Sequence, residues 1–323
     1  MLVRCWIQNR NAPESARSQT PEHRDAHVTV PFTQPHEAAA RTLIKLSLAE
    51  DLQETGDLTC QALIEDTDQA EIQIVARQSG ILAGSPITSL IFAELDPRVT
   101  CEHHLADGAE LEPGSVISTC AGPLASLLTG ERTVLNFLTH LCGVASQTAE
   151  YVKAIEGTRA CILDTRKTLP GWRVLEKYAV AAGGGTNHRM GLYDGILIKD
   201  NHLAAWASRN SHPTIAAAVQ QARESVNGEK GVEVEVDTLE QLADALEGKP
   251  EIVLLDNMSP ETMREAIQMR DAQSPATLLE ASGGINLETV RAAAETGVER
   301  ISVGALTHSV ISLDIGFDWK RRT

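Results

Sequence analysis

No window of this 323-residue chain approaches the roughly 18 apolar residues that a membrane span needs, and its first thirty residues hold no apolar core of the signal-peptide kind. A membrane partner is therefore not expected, and a cytoplasmic location is. Disulfide and zinc frameworks are missing too: the cysteines (Cys5, Cys60, Cys101, Cys120, Cys142, Cys161) are scattered, with no CxxC and no Cys/His cluster. Reduced, mostly structural thiols are expected. Positive charge is scarce, with 28 Lys+Arg against 44 Asp+Glu and a formal net charge of −16. Nucleic acid, which needs a basic face, is not an expected partner.

What basic charge there is collects in one place. Residues 164–202, DTRKTLPGWRVLEKYAVAAGGGTNHRMGLYDGILIKDNH, carry Arg166, Lys167, Arg173, Lys177, His188, Arg189 and Lys199. A local cationic cluster on an acidic protein points to a small, multiply anionic ligand bearing phosphates and carboxylates. The glycine run 183–185 does not match a GxGxxG dinucleotide loop and reads as a flexible lead-in to His188 and Arg189. His103, His104 and His140 have no partner at metal-ligand spacing and read as surface or domain-contact residues.

With 42% hydrophobic residues the chain can bury a sizeable core, in about two domains. Residues 1–34 mix Arg, Asn, Pro, Ser and Glu without periodicity and are expected to form a disordered arm. A helical pattern starts at His36 and is followed by the polar turn DLQETGDLTC. Then come β-like runs, EIQIVAR, GILAG, VTCEHHL and VISTCAG, broken by Gly and Pro. A long helix is predicted over 126–154, as a spacer between domains. Beyond it the pattern alternates strand, loop and helix. Strands are read at ACILD, GILIK, VEVEV, IVLLD, TLLEAS and RISVG, with helix caps at Thr238, Ser259-Pro260 and Asn286. Such alternation predicts a parallel sheet covered by helices, in regular spacing that favours a β/α barrel.

The polar residues fall at the ends of these strands: Asp164, Arg166 and Lys167; Lys199 and Asp200; Glu235 and Asp237; Asp256 and Asn257; Ser282, Gly283 and Gly284; and Gly304. In a barrel these ends converge on one face, where active sites are built. The glycine-containing turns suit a phosphate, and Lys and Arg suit the remaining anionic groups. Glu235 and Asp256 suit Mg2+, ribose hydroxyls, or both. Glu235 also has the plainer reading of a structural ion pair, and Lys199 that of a Schiff-base lysine, which the neighbouring Asp200 and the anion-binding company argue against.

The blocks GERTVLNFLTHLCGVAS (130–146), 164–202 as quoted, VEVEVDTLEQ, IVLLDNMSP, LEASGGI and ISVGALTHS closely resemble the quinolinate phosphoribosyltransferase family, across about residues 37–320. The resemblance implies an N-terminal α/β sandwich domain over 35–149, joined by 309–323, and an incomplete β/α barrel over 150–308. It implies the conversion of quinolinate and 5-phosphoribosyl-1-pyrophosphate to nicotinate mononucleotide, pyrophosphate and CO2, with Mg2+. It also implies a homodimer with shared active sites, or a larger assembly such as a hexamer of dimers. By the resemblance, Arg132 reaches into the partner's site, and Arg166, His188 and Arg189 line the quinolinate pocket. Lys167 and Lys199 sit between the two substrates, and Glu235 and Asp256 meet ribose and Mg2+. Ser282, Gly283, Gly284 and Gly304 cradle the 5-phosphate, with His308 nearby. The alternatives are a same-fold paralogue serving another acceptor and a non-catalytic metabolite sensor.

Overall fold

A computed structural model describes residues 30–319; the greater part of the arm expected over 1–34 lies outside the described residues. Within them, packing begins at once, with the Phe32 ring edge-on to Tyr178 at 5.2 Å. Helix α1 (Gln34–Leu52) follows, its entry fixed by His36 Nδ1 accepting from Thr33 N at 3.0 Å and by Pro35 in the first turn.

An antiparallel sheet then forms from β1 (Gln69–Ala76), β3 (Thr100–His103), β5 (Val116–Pro123) and β12 (Ile315–Trp319), in the order β12-β1-β5-β3. The chain end thus returns to pair with β1, Ile74 opposite Phe317. A short ribbon joins β2 (Gly80–Ile81) to β4 (Glu110–Leu111). Two helices here stand outside the elements read from the sequence. Helix α2 (Leu58–Leu63) takes over the end of the polar turn, because Asp57 caps it, accepting from Thr59 N and Cys60 N at 3.0 Å each. Helix α3 (Ser85–Leu95, SPITSLIFAEL) is apolar almost all round, so no 3.6-residue stripe announces it.

Helix α4 (Leu124–Ala154) is more than a spacer. It packs on β1, β5 and β12 along one side and on β6 (Cys161–Leu163) and α5 (Arg173–Ala182) along the other, burying Leu127, Val134, Leu138, Leu141 and Ala145 at helical spacing.

The second sheet has six parallel strands in the order β6-β11-β10-β9-β8-β7: β7 (Ile196–Ile198), β8 (Val232–Val236), β9 (Ile252–Asp256), β10 (Leu278–Ser282) and β11 (Arg300–Ser302) join β6. The last strand therefore pairs with the first, as in a closed barrel, while among the described residues β6 and β7 do not pair. This is the expected incomplete barrel. Segment 183–190 fills the seam, Thr186 bridging to Leu163. The glycine run at its start is packed rather than a flexible lead-in: a Cβ at Gly183 would lie 2.2 Å from the Ala145 carbonyl oxygen of α4. The helices between the strands are α6 (Asp200–Ala207), α7 (Ile215–Ser225), α8 (Leu239–Glu247), α9 (Pro260–Gln273), α10 (Val290–Glu295) and α11 (Ala305–His308). Thr238 and Ser259 cap α8 and α9 as predicted, but Asn286 holds the turn before α10, accepting from Thr289 N at 3.1 Å.

Candidate active site

Alternation along β8 decides where its charges go. Val232, Val234 and Val236 are fully buried, and Glu233 and Glu235, two residues apart, share the opposite face. Parallel register sets Glu235 beside Leu254 and Glu280 beside both Leu254 and Arg300, so these side chains occupy one face of the sheet. Leu197 pairs with Glu233, and Lys199, two residues on, forms an ion pair with Glu235. The structural reading of Glu235 and the functional one both survive, because this pair sits at a strand end with Lys199 43% exposed.

The neighbouring strand ends are locked together. Asn257, at φ 54°, donates its backbone N–H to the Ser282 carbonyl at 2.9 Å and its amide to Asp256 Oδ2 at 2.8 Å. Gly283 lies against that amide at φ 86°. At the seam side, Thr307 Oγ1 donates to the Lys167 carbonyl at 2.8 Å. A Cβ at Gly304 would stand 3.0 Å from His308 Nε2 and 3.2 Å from Lys167 Cδ. Lys167, Gly304 and His308 are thus one cluster.

Arg166 and Arg189 are brought close enough to repel. Burial first, and then the Arg166 charge, hold the Arg189 pKa below its usual value, while Arg189 Nη1 donates to the Gly195 carbonyl at 2.8 Å. Arg166 Nε is buried and has no hydrogen-bond partner among the described residues. Guanidiniums that feel one another's charge, one with a buried donor unspent, can hold a carboxylate by charge-assisted hydrogen bonds. Arg173 braces the site instead of entering it: it donates to Thr168 Oγ1 (3.1 Å), the Met190 carbonyl (3.3 Å) and the Arg166 carbonyl (3.4 Å).

Lys177 must be removed from the ligand-binding cluster. Its side chain is fully buried and paired with Asp164, also fully buried, which in addition accepts from His188 N at 2.9 Å. Asn187, with its amide oriented by the same network, donates to Asp164 Oδ2 at 2.7 Å. The Asp164–Lys177 pair therefore clamps the segment that fills the seam. Burial pushes the Asp164 pKa up to about 6 even against the pull of Lys177.

His188 faces inward. Its Nε2 lies 3.1 Å from Glu233 Oε2 and 3.5 Å from Glu280 Oε1, and Arg300 Nε donates to Glu280 Oε2 at 2.7 Å. Sequence motifs do not single out these buried partners; glutamates alternating in VEVEV, with Glu280 and Arg300 on later strands, are the one signal available. His188, Glu233 and Glu280 present ligand atoms within 4.8 Å of one another, as a metal site would. Arg300 already supplies positive charge there, so a charge-balanced structural network is the better account.

Burial opposes charge on His188, yet the hydrogen bonds and charges of Glu233 and Glu280 outweigh it and push its pKa up to about 10. The Arg189 N–H, 2.7 Å from Nδ1, favours a neutral ring, but that single neutral contact is weaker than the charge-assisted contact with Glu233 together with the nearby charge of Glu280. A pKa raised above the unfolded value of about 6.5 means stability fully present below pH 6.5 and lost as pH rises through about 10. The His188 ring resonance should stay at its imidazolium position from about pH 6 to 8 in NMR titration; a midpoint near 6.5 would contradict this network.

Arg132 stands apart, exposed on α4, with no hydrogen bond or ion pair to the described residues of its own chain. His140, read as a domain-contact residue, joins Glu176 of α5 at 2.8 Å. Among the described residues no helix is long and apolar enough to cross a membrane.

Comparison with known proteins agrees in both domains. The chain matches the family models for the C-terminal domain of quinolinate phosphoribosyl transferase over residues 144–318 and for its N-terminal domain over residues 57–142. It is 46% identical over 265 residues to the probable nicotinate-nucleotide pyrophosphorylase (carboxylating) of Bacillus subtilis (strain 168), covering 82% of this chain and 88% of that one. Identity is 44% over 284 residues to the nicotinate-nucleotide pyrophosphorylase (carboxylating) of Mycobacterium leprae (strain TN), with 87% and 97% coverage. The nicotinate-nucleotide pyrophosphorylase structure from Francisella tularensis superposes with a TM-score of 0.81 at 37% identity, over 92% of this chain and 99% of that one.

Proposed function

The chain belongs to the quinolinate phosphoribosyltransferase family, and from that premise we propose how its barrel face performs the family's reaction. Quinolinate and 5-phosphoribosyl-1-pyrophosphate give nicotinate mononucleotide, pyrophosphate and CO2, a step of NAD biosynthesis. The observation that carries the reading is Arg166, with its own buried Nε unspent, set near Arg189 in a chain whose net charge is −16. Such a pocket selects a dianionic acceptor.

The acceptor nitrogen displaces pyrophosphate from C1 of the ribose, through a transition state with positive charge spreading onto the sugar ring. Glu235 supports that charge, directly or through the ribose hydroxyls, and Lys167 and Lys199 face the anionic groups of both substrates. Holding each reactant by its anionic handles supplies much of the remaining rate. The 5-phosphate rests on Ser282, Gly283, Gly284 and Gly304, with His308 beside them. The 2-carboxylate then leaves as CO2; its bonding electrons stay on ring carbon 2, stabilised by the adjacent pyridinium nitrogen, until a proton replaces it.

Mg2+ fits the donor set. Glu235 and Asp256 are carboxylates on paired strands, Lys199 bonding Glu235 through Oε2 and Asn257 bonding Asp256 through Oδ2. When bound there the ion neutralises charge on the departing pyrophosphate. We place the reaction in the cytoplasm.

The working form in this reading is a homodimer, in which the exposed Arg132, without a partner among the described residues of its own chain, reaches the neighbouring subunit's pocket. Arg132→Ala and Lys199→Ala should each lose most activity alone, yet mixed dimers of the two should recover up to about a quarter of it, through the one site per heterodimer that has both residues intact. Verified heterodimers with no recovery would reject site sharing. For the reaction itself, pyrophosphate release from the donor should depend on quinolinate. Release without it, or none at all, rejects the assignment.

A further inference from the structure

The cysteines look unrelated in sequence, yet folding brings two of them together. Strands β3 and β5 set Cys101 directly opposite Cys120, and Cys120 Sγ donates to Cys101 Sγ at 3.0 Å. A disulfide bond is roughly 2.05 Å long and joins Cα atoms about 4.4–6.8 Å apart, a range that directly opposed antiparallel residues satisfy. Bond formation therefore needs small side-chain rotations and no strand movement.

The two thiols are not equivalent. Cys120 is fully buried, whereas Cys101 is partly exposed on the edge strand of the sheet. The hydrogen bond from Cys120 lowers the Cys101 pKa, against burial, with a further contribution from Ser89. That same contact, together with burial, raises the Cys120 pKa. Ser89 Oγ is 2.8 Å from His103 Nε2, whose Nδ1 is 2.8 Å from Ser118 Oγ, so a base stands one hydroxyl away from Cys101. The other described cysteines have no such arrangement: Cys60, Cys142 and Cys161 donate to backbone carbonyls at 3.8, 3.5 and 3.4 Å.

We infer that Cys101 and Cys120 form a reversible thiol–disulfide site, with Cys101 as the attacking sulfur, Cys120 as the resolving one, and a small-molecule disulfide of the glutathione kind as oxidant. The Cys101 thiolate attacks one sulfur of the small disulfide, whose S–S bond breaks and releases one thiol. Cys120 then loses its proton and attacks the Cys101 sulfur, releasing the second thiol. Two protein thiols are oxidised and one small disulfide is reduced to two thiols. The new bond ties the edge strand to its neighbour and closes the loop between residues 101 and 120.

The test is exposure of the folded, full-length protein to oxidised glutathione, followed by acid quenching, alkylation and peptide mapping. A Cys101–Cys120 linked peptide should appear, with two thiols lost, a thermal midpoint raised by several degrees, and full reversal by dithiothreitol. Cys120→Ser should stop at a glutathione adduct on Cys101, and Cys101→Ser should leave Cys120 unmodified. The inference fails if both residues remain alkylatable while other cysteines react. It fails too if the link forms only in urea, or if Cys120 takes up glutathione without Cys101. Should either serine variant not fold, the wild-type map decides alone.

Discussion

Gly283→Ala should lower kcat/KM for the phosphoribosyl donor by about 10²-fold or more, the scale expected when reacting groups are displaced by around an ångström. The added Cβ would lie 2.2 Å from Asn257 Oδ1, 2.6 Å from its Cγ and 2.8 Å from its backbone nitrogen, at a φ of 86° that an L side chain rarely adopts. Asn257 cannot simply yield, because its N–H is bonded to the Ser282 carbonyl and its amide to Asp256. The ends of β9 and β10 must part, taking Asp256 and the proposed phosphate cradle with them. Gly284 is the useful contrast. Apart from its chain neighbours, no described residue lies within 4 Å of its added Cβ, so Gly284→Ala adds backbone strain at φ 64° and intrudes on the space assigned to the phosphate. Steady-state kinetics with separate quinolinate titrations would decide. A folded Gly283→Ala enzyme with an unchanged KM for the donor and unchanged turnover would remove this turn from the site.

Lys177→Met should cost about 3–5 kcal/mol of stability, the loss expected when one member of a buried ion pair is removed and the other is left unpaired. Asp164 is the residue abandoned. Its pKa already stands at about 6 with the lysine present, and should rise further without it. A raised carboxyl pKa makes the folded state bind its proton more tightly, so the variant's deficit should shrink as pH falls below that pKa. Adding Asp164→Asn should recover part of the loss. Urea unfolding at pH 8 and pH 5 measures both; a deficit under about 1 kcal/mol at pH 8 would show that the pair is not the clamp on the seam.

Much of the barrel and its face is legible in the chain because it is local. Strand ends carry their polar residues in sequence order, so Lys199, Glu235, Asp256, Ser282 and Gly304 announce a barrel face by their positions along the chain alone. What the chain hides depends on register. Lys177 has the same chemistry as Lys167 and Lys199, and only its burial against Asp164 separates a clamp from a ligand. Glu280 and Arg300 look like strand residues until pairing sets them side by side, and Cys101 meets Cys120 only across two strands. Helix α3 is hidden because its apolar residues surround it. Gly183 is hidden because close approach to a distant helix and flexibility both require the same residue.

The most direct measurement uses quinolinate labelled with ¹³C at its 2-carboxyl group, incubated with the enzyme, phosphoribosyl pyrophosphate and Mg2+, with nicotinate as the competing acceptor. The account requires labelled CO2, nicotinate mononucleotide and pyrophosphate in equal amounts, with no nucleotide formed from nicotinate. Label retained in the nucleotide, or comparable turnover of nicotinate, would contradict a decarboxylating transferase built around the Arg166–Arg189 pocket.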